Sequence, residues 1–172
     1  MFTAKRSTPW RVERHGIALD GVGAAGLLQG LLMAFFASRQ CPGSAIRAAT
    51  AWALQQAGGQ YVVIGGFHSP LEQSVLRLLI EGGGQAVVVL ARPVAAASLP
   101  SAWQSALGAG RMAVVSRAAL AKRLTEQLAE DRNDLAASLA NSITIAHASA
   151  GGQLSQQCSR WRAQGLAVTL VG

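Results

Sequence analysis

Six short apolar runs recur along this chain, and the segments between them carry apolar residues at helical spacing. Each run is about five residues long and is bounded by glycine, serine, asparagine or proline, which is typical of strands covered on both faces. The runs lie at 31–37, 61–65, 86–91, 112–116, 142–147 and 166–171. Strand alternating with helix predicts a Rossmann-like α/β fold. Its sheet would be doubly wound and mostly parallel, with about six strands, right-handed crossovers and helices on both faces.

Four of the intervening segments are predicted to be amphipathic helices. Their apolar faces are Ile46, Ala49, Ala53 and Ala57; Leu71, Val75, Leu78 and Leu79; Leu120, Leu124, Leu128, Leu135 and Leu139; and Leu154, Cys158 and Trp161. A shorter helix is predicted to begin near Pro100 and to reach Leu107. These faces indicate which residues pack against the sheet.

The length of the chain predicts one domain. A chain of 172 residues can bury a full core and is too short for two ordinary domains. Residues 1–27 are interpreted as a basic N-terminal arm, loose over 1–15, with a possible edge strand at 15–20. Residues 28–172 are interpreted as a single Rossmann-like domain. Apolar residues make up 51% of the chain and charged ones 13%, which argues against disorder.

Residues 21–38 carry no charge and follow a basic segment, so a membrane-spanning helix is one interpretation of them. Four glycines and Gln29 interrupt the stretch, which divides into a turn-rich half and a short strand. We therefore predict no membrane insertion. The same stretch spells G-x-G-x-x-G at 21–26. The strand before it is short, and no acidic residue that would hold a ribose occurs between Asp20 and Glu72, so a dinucleotide site is not predicted.

The charge of the chain favours an anionic partner. The net charge is +7 and the isoelectric point is near 11.0, which fits nucleic acid, although ordinary solubility would also account for charges spread this evenly. Cys41 and Cys158 lie far apart, so we expect no disulfide framework and a cytoplasmic location. The histidines and cysteines lack metal-ligand spacing, so we predict no metal ion and no cofactor.

Three strand–turn–helix junctions predict a ligand site. Ligands in doubly wound sheets bind outside the carboxyl ends of the strands, and unpaired amides at a helix start attract anions. The first junction contains Ser38 and Arg39, a hydroxyl and a guanidinium suited to holding a phosphate. The alternative is that Arg39 is an ordinary surface arginine.

The second junction contains Gly65 and Gly66 followed by His68 and Ser69. Ser69 is predicted to cap a helix that begins at Pro70, with an acidic residue in its first turn. These roles are structural and leave His68 unexplained. Its ring would either donate to a phosphate or sugar of a ligand or bond a loop carbonyl.

The third junction contains Gly151 and Gly152, which would either let a ligand reach backbone amides or form a tight turn. Arg132 and Asn133 lie in the predicted helix that precedes this strand. Because acidic residues surround Arg132, a solvated ion pair is the alternative to a ligand contact. The acidic residues are Glu130, Asp131 and Asp134.

Taken in order, segments of this chain resemble the DNA-processing protein A family (DprA, also called Smf) over roughly residues 28–172. The segments are 32–39 (a strand, then Gly-Ser-Arg in the family), 65–70 (a Ser-Gly turn), 84–91 (the third strand), 110–116 (a Gly-x-Leu/Ile-Ser strand), 132–140 (the Arg-Asn-Arg helix) and 148–154 (a Ser-Gly-Ser-Leu turn). Asp134 stands where the family has its second arginine, and Gly65-Gly66 replaces Ser-Gly.

The resemblance implies a cytoplasmic, non-catalytic protein that binds single-stranded DNA or a nucleotide and takes part in DNA processing or recombination. It further implies delivery of the DNA to the RecA recombinase and a homodimer or higher homo-oligomer. It also implies one shared pocket, and the residues that would line it are Ser38, Arg39, His68, Ser69, Arg132, Asn133, Gly151 and Gly152.

A related family leaves an enzymatic alternative open. The LOG-type nucleotide phosphoribohydrolases carry Gly-Gly-x-Gly-Thr-x-x-Glu, and residues 65–72 are similar in spacing, with His68 for glycine and Ser69 for threonine. On this alternative Glu72 would be the catalytic carboxylate, and Arg39 would hold the phosphate of the substrate.

Overall fold

A computed structural model describes residues 8–118 and 126–171, with no account of the side chains of 126–128. The strands in this part of the chain are β1 (Trp10–Arg14), β2 (Ile17–Gly23), β3 (Leu32–Ala37), β4 (Val62–Gly65), β5 (Ala86–Val89), β6 (Met112–Arg117), β7 (Ser142–His147) and β8 (Val168–Leu170). The α-helices are α1 (Gly43–Ala57), α2 (Pro70–Glu81), α3 (Gln104–Gly108), α4 (Glu126–Leu139) and α5 (Gln153–Ala163). Each of the six predicted strands is present.

The strands form one sheet in the order β1-β2-β6-β5-β4-β3-β7-β8. The six strands from β3 to β8 are parallel. Beside β6, β2 runs antiparallel to it, and β1 runs antiparallel to β2 at the edge of the sheet. From β3 the chain first builds outward through β4, β5 and β6, and then returns to the other side of β3 as β7. The predicted doubly wound, mostly parallel fold is confirmed, and its switch point lies between β3 and β7.

The two faces of the sheet bury separate helix layers. Helices α1, α2 and α3 pack on one face, whereas α4 and α5 pack on the other. Consecutive residues of β3 show the alternation, because side chains of a strand point to opposite faces. The Phe35 ring stacks on Trp52 of α1, and the Phe36 ring packs on Trp161 of α5, each with ring centroids 4.9 Å apart.

The predicted helix faces are largely present, with one correction in α1. Its buried face is Ala45, Ala49 and Ala53, whereas Ile46 is 45% exposed. The small alanines let α1 approach the sheet and α2 closely, and this packing turns the larger Ile46 outward. The predicted face of α5 is buried as expected. In the long face that begins at Leu120, the last two leucines of α4 are buried, and the first three lie outside the described side chains.

The segment expected to be a loose arm is a strand where the structure describes it. Trp10 begins β1, and its indole Nε1 donates a hydrogen bond of 2.9 Å to the carbonyl of Gly23. The Trp10 ring also lies where a side chain at Gly21 would be. One glycine of the G-x-G-x-x-G pattern, Gly21, therefore makes room for a tryptophan, and another, Gly23, accepts its hydrogen bond. The division of the chain near residue 28 stays a prediction. In the structure β1 and β2, which precede that residue, belong to the same sheet as β3 to β8.

Part of the positive charge serves the fold. The Arg14 guanidinium donates to the carbonyls of Leu139 and Leu28 at 2.8 and 2.6 Å and to the Asn141 side chain at 3.0 Å. Similarly, Arg111 donates to two carbonyls around the end of α2. The basicity therefore has a third source, the capping of main-chain carbonyls, beyond the two considered from composition.

The uncharged stretch 21–38 is divided among the end of β2, a short 3-10 helix and β3. No helix in the described ranges is long and apolar enough to cross a membrane. Cys41 and Cys158 both carry free thiols.

Candidate functional site

A cleft of about 560 Å³ opens at the carboxyl ends of β3, β4 and β7, beside the switch point. We call it the β3–β7 cleft. Its described lining is Ala37, Ser38, Arg39, Gln40, His68, Ser69, Ala129, Arg132, Asn133, Ser149, Gln153, Leu154 and Gln157. It brings together six residues predicted from sequence, namely Ser38, Arg39, His68, Ser69, Arg132 and Asn133. The other four predicted residues, Gly65, Gly66, Gly151 and Gly152, lie in the adjoining strand end and turns.

Arg132 contributes a half-buried guanidinium to the cleft. Its Nε is buried and has no hydrogen-bond partner among the described residues. Two of the acidic residues that could neutralise it are engaged elsewhere, since Glu130 and Asp134 pair with Arg160 at 2.8 and 3.4 Å. Burial lowers the pKa of Arg132, and Glu72 opposes that shift. No ion pair of Arg132 occurs among the described residues, and the buried Glu72 carboxylate offsets only part of its charge.

Gly66 creates the space that Arg132 occupies. A Cβ built at position 66 would lie 2.8 Å from the Cδ of Arg132, which is closer than carbon atoms approach in proteins. Because Gly66 has no positive φ, the requirement for glycine here is one of space and not of backbone conformation. A ligand contact at Gly66 stays a prediction, and in the structure this glycine makes room for the Arg132 side chain.

Asp134, the departure from the Arg-Asn-Arg pattern, ties α4 to α5. Its carboxylate accepts hydrogen bonds from Trp161 Nε1 at 2.9 Å, from Gln157 Nε2 at 3.2 Å and from Arg160 at 3.4 Å. The side chain of Asn133 also reaches Gln157, at 3.4 Å. Gln157, which is fully buried and was not predicted from sequence, thus links the cleft wall to the packing of the two helices.

The start of α2 is closed by a residue of its own first turn. Ser69 caps the helix as predicted, with the Glu72 amide donating to its Oγ at 3.4 Å. The Glu72 carboxylate accepts amides in return, from His68 at 3.1 Å, Ser69 at 3.2 Å and Ala37 at 3.2 Å. The strand–turn–helix pattern of the sequence predicts free amides at this helix start. That expectation is corrected, because a buried side-chain carboxylate already occupies the position of an anion.

Glu72 is poorly placed for catalysis. It is 5% exposed, it does not appear among the described lining residues, and backbone amides bind both of its oxygens. Burial raises its pKa, although the three amides and Arg132 act in the opposite direction. The geometry supports a structural role, in which Glu72 joins the end of β3 to the turn after β4.

The turn after β4 directs His68 into the cleft. Phe67 has a φ of 49°, unusual for a residue other than glycine, and its side chain is buried. The next residue, His68, is exposed and lines the cleft. Burial lowers the pKa of His68, and the charges of Arg132 and Arg39 lower it further. The two arginines therefore make the surroundings of His68 electropositive and favour its neutral form.

The first and third junctions meet through Ser38. Its Oγ accepts a hydrogen bond of 2.9 Å from the Ser149 amide, which leaves its hydroxyl proton free to donate. Helix α5 begins just beyond, with Gly152 as its N-cap, no side-chain cap and no acidic residue in its first turn. Gly151 has a φ of 71°, and the Gly152 amide bonds the Ser149 carbonyl. Gly151 and Gly152 therefore form a tight turn, and the helix that follows it has no side-chain cap.

A second and larger cavity, of about 950 Å³, lies between the β1–β2 strands and the loop 93–99. The Arg11–Asp20 ion pair of 2.7 Å stands at its lining. No sequence pattern indicated this cavity, because its walls come from two segments that are far apart in the chain.

Comparison with solved structures gives the same fold. The structure resembles DprA from Streptococcus pneumoniae with a TM-score of 0.75 at 16% identity, covering 96% of this chain and 63% of that one. It resembles DprA from Helicobacter pylori, described for its single-stranded DNA binding mode, with a TM-score of 0.78 at 12% identity, covering 98% and 82%. The resemblance noted in the sequence is confirmed at the level of fold. This chain spans less than two thirds of the Streptococcus protein.

The molybdenum cofactor (Moco) carrier protein of Chlamydomonas reinhardtii is a more distant likeness, with a TM-score of 0.53 at 12% identity over 82% of this chain and 75% of that one. No protein family model and no curated protein matches the sequence. At these identities the structural matches establish the fold alone.

Proposed function

We propose that this protein binds single-stranded DNA or a nucleotide through the β3–β7 cleft and catalyses no reaction. The observation that carries the proposal is the Arg132 guanidinium, half-buried with an unpartnered Nε in a cleft at the switch point of the sheet. A half-buried cation whose charge is only partly offset, here by Glu72, is stabilised further by a ligand of opposite charge. The fold shared with a DNA-binding protein of Helicobacter pylori supports nucleic acid as that ligand.

The remaining lining residues favour an anion. Arg39 and His68 face the same space as Arg132, and the described lining contains no carboxylate. Arginine binds phosphate oxygens through two parallel hydrogen bonds, as it also binds carboxylates, so the arginines favour an anion over a neutral ligand. The cleft therefore has the charge and the donors that a sugar–phosphate backbone requires.

The enzymatic alternative lacks its catalytic carboxylate among the described lining residues of the cleft. A phosphoribohydrolase of the LOG type would need Glu72 to reach its substrate, and Glu72 is instead held by three backbone amides. Incubation with nucleoside monophosphates, followed by a search for released base, tests this conclusion. Base release by the wild type that disappears in Glu72→Gln would overturn the non-catalytic proposal.

The same likeness leads us to propose a wider setting. We propose a cytoplasmic role in DNA processing or recombination, with a recombinase as a further partner and a homodimer or higher homo-oligomer as the working state. Ile46 and Leu54 of α1 are 45% and 57% exposed, and they offer apolar surface for self-association.

The main test is the affinity for a single-stranded oligonucleotide, measured by fluorescence anisotropy. We expect Arg39→Ala and Arg132→Ala each to weaken binding by about 1–3 kcal/mol, as the loss of a charged hydrogen bond does. Arg77→Ala is the matched control, because Arg77 is an exposed arginine of α2 that does not line the cleft. Wild-type affinity should also fall steeply as salt rises. Affinity that is insensitive to salt and to both cleft variants would contradict the proposal.

A further inference from the structure

We propose that the β3–β7 cleft recognises a phosphomonoester, the terminal phosphate of a nucleotide or of a DNA strand, in preference to an internal phosphodiester. This inference rests on the proposed function and specifies the chemical class of its ligand. Three observations support it: the charge of the cleft compared with that of a phosphate, the small number of cations in the described lining, and the scarcity of aromatic side chains there.

The charge of the cleft matches a terminal phosphate better than an internal one. Arg39 and Arg132 contribute two positive charges, part of which the buried Glu72 offsets, whereas an internal phosphodiester carries one negative charge. A phosphomonoester carries about −1.5 to −2 at neutral pH and presents three acceptor oxygens. Two guanidinium groups and the free hydroxyl proton of Ser38 can therefore each find an acceptor on one phosphate.

The positive charge of the described cleft lining comes from two residues, and five exposed arginines that make no described ion pair lie outside it. Arg39 and Arg132 are the arginines of the described lining, which contains no lysine. Four other arginines are engaged in ion pairs or with main-chain carbonyls: Arg11, Arg14, Arg111 and Arg160. A protein that follows a DNA strand over several nucleotides needs a basic groove along its path. Here the described residues concentrate two cations around one point, which suits one phosphate.

The walls provide little surface for stacked bases. Proteins that hold successive bases of a single strand use aromatic platforms, and His68 is the one aromatic ring among the described lining residues. The volume of about 560 Å³ is that of a site for one small ligand. The cleft thus fits one phosphate with its nucleoside, either free or at the end of a strand.

The test is isothermal titration calorimetry of the full chain with one short oligothymidylate in three forms: with a 5′-phosphate, with a 3′-phosphate and with neither. We expect at least one phosphorylated form to bind about tenfold more tightly than the unphosphorylated strand, as one additional charged contact would give. Arg132→Ala should remove this preference, whereas the Arg77→Ala control should keep it.

Thymidine monophosphate, as a fourth ligand, distinguishes the two sources of the phosphate. If it binds as tightly as the phosphorylated strand, the ligand is a free nucleotide, and if it binds more weakly, the ligand is a strand end. Both results support the inference. Equal affinity for the phosphorylated and unphosphorylated strands would overturn it and leave DNA binding intact. Failure of all four ligands to bind would instead overturn the proposed function.

Discussion

Two helices begin at the edge of the same cleft, and their starts are built in opposite ways. Helix α2 has a complete capping box, in which Ser69 and the buried Glu72 bind each other's backbone amides. Helix α5 begins at Gly152 with no side-chain cap and no acidic residue in its first turn. The Glu72 carboxylate offsets the positive end of the α2 dipole, whereas no acidic residue in the first turn of α5 offsets that of α5. The charge that each helix start presents to the cleft therefore depends on its first turn, and not on the glycines before it.

The largest expected effect comes from emptying the closed start. Glu72→Ala leaves three buried amides, those of Ala37, His68 and Ser69, without an acceptor. We expect it to lower the free energy of unfolding by about 2–4 kcal/mol, measured by urea denaturation. Glu81→Ala, an exposed position at the other end of α2, should change stability little. A loss below about 1 kcal/mol in Glu72→Ala would show that these hydrogen bonds do not hold the loops together.

The second effect concerns the arginine that lies between the two starts. In Gly66→Ala the new methyl group displaces the Arg132 side chain, so we expect affinity for an oligonucleotide to fall by about 1–3 kcal/mol. Gly108→Ala is the control, since a methyl group there meets open space. Gly66→Ala should add little to Arg132→Ala, because both changes act on one contact. Additive losses in the double variant would mean that Gly66 acts in another way.

The third effect comes from closing the open start. Gly152→Asp places a carboxylate at the N-cap of α5, and we expect it to weaken anion binding by about 1 kcal/mol. Gly152→Ser caps the same helix without the charge, and its Cβ meets the Ser149 carbonyl at the same 3.1 Å, so it controls for packing. Equal affinity in the two variants would show that the positive end of α5 does not contribute to binding.

The smallest effect is a dependence on pH through His68. Its pKa lies below 6.5 in the free protein because of burial and two nearby arginines. A bound anion favours the protonated ring, so affinity should rise as the pH falls below 6.5 through the lowered pKa, and His68→Gln should lose this rise. The difference is about 0.3–1 kcal/mol, as for an exposed ion pair. The ratio of wild-type to variant affinity isolates His68, since the ligand titrates identically in both measurements.

The fold was predictable because most of the parallel strands are covered on both faces. Runs such as Ala86–Val89 stand out as continuous apolar segments, and their short length, their valines and the flanking glycines and proline distinguish them from a buried helix. β1 was missed because its charged residues were assigned to a basic arm, although Trp10, Val12 and Arg14 alternate with exposed residues at the period of a strand. The buried face of α1 was predicted incorrectly because alanine occurs at both buried and exposed positions and so indicates burial only weakly.

For the cleft, the sequence indicated which residues would meet, and it could not indicate where their side chains point. Arg132 turns inward because Arg160, from a different helix, pairs with two of the acids around it, and because Gly66 leaves a gap. These are contacts between distant segments. The role of Glu72 was accessible, since Ser69 and Glu72 have the spacing of a capping box. That these residues bind a ligand stays a prediction.

The hairpin between β1 and β2 has a consequence for shortened forms of the protein. Arg14 donates to the carbonyl of Leu139, and His15 Nδ1 lies 2.9 Å from the carbonyl of Ser138, both in the last turn of α4. The opposite half of that helix carries Arg132. A variant that lacks residues 1–27 would lose these contacts with α4. Weaker DNA binding by such a variant would therefore reflect a displaced α4, and not only the loss of basic residues.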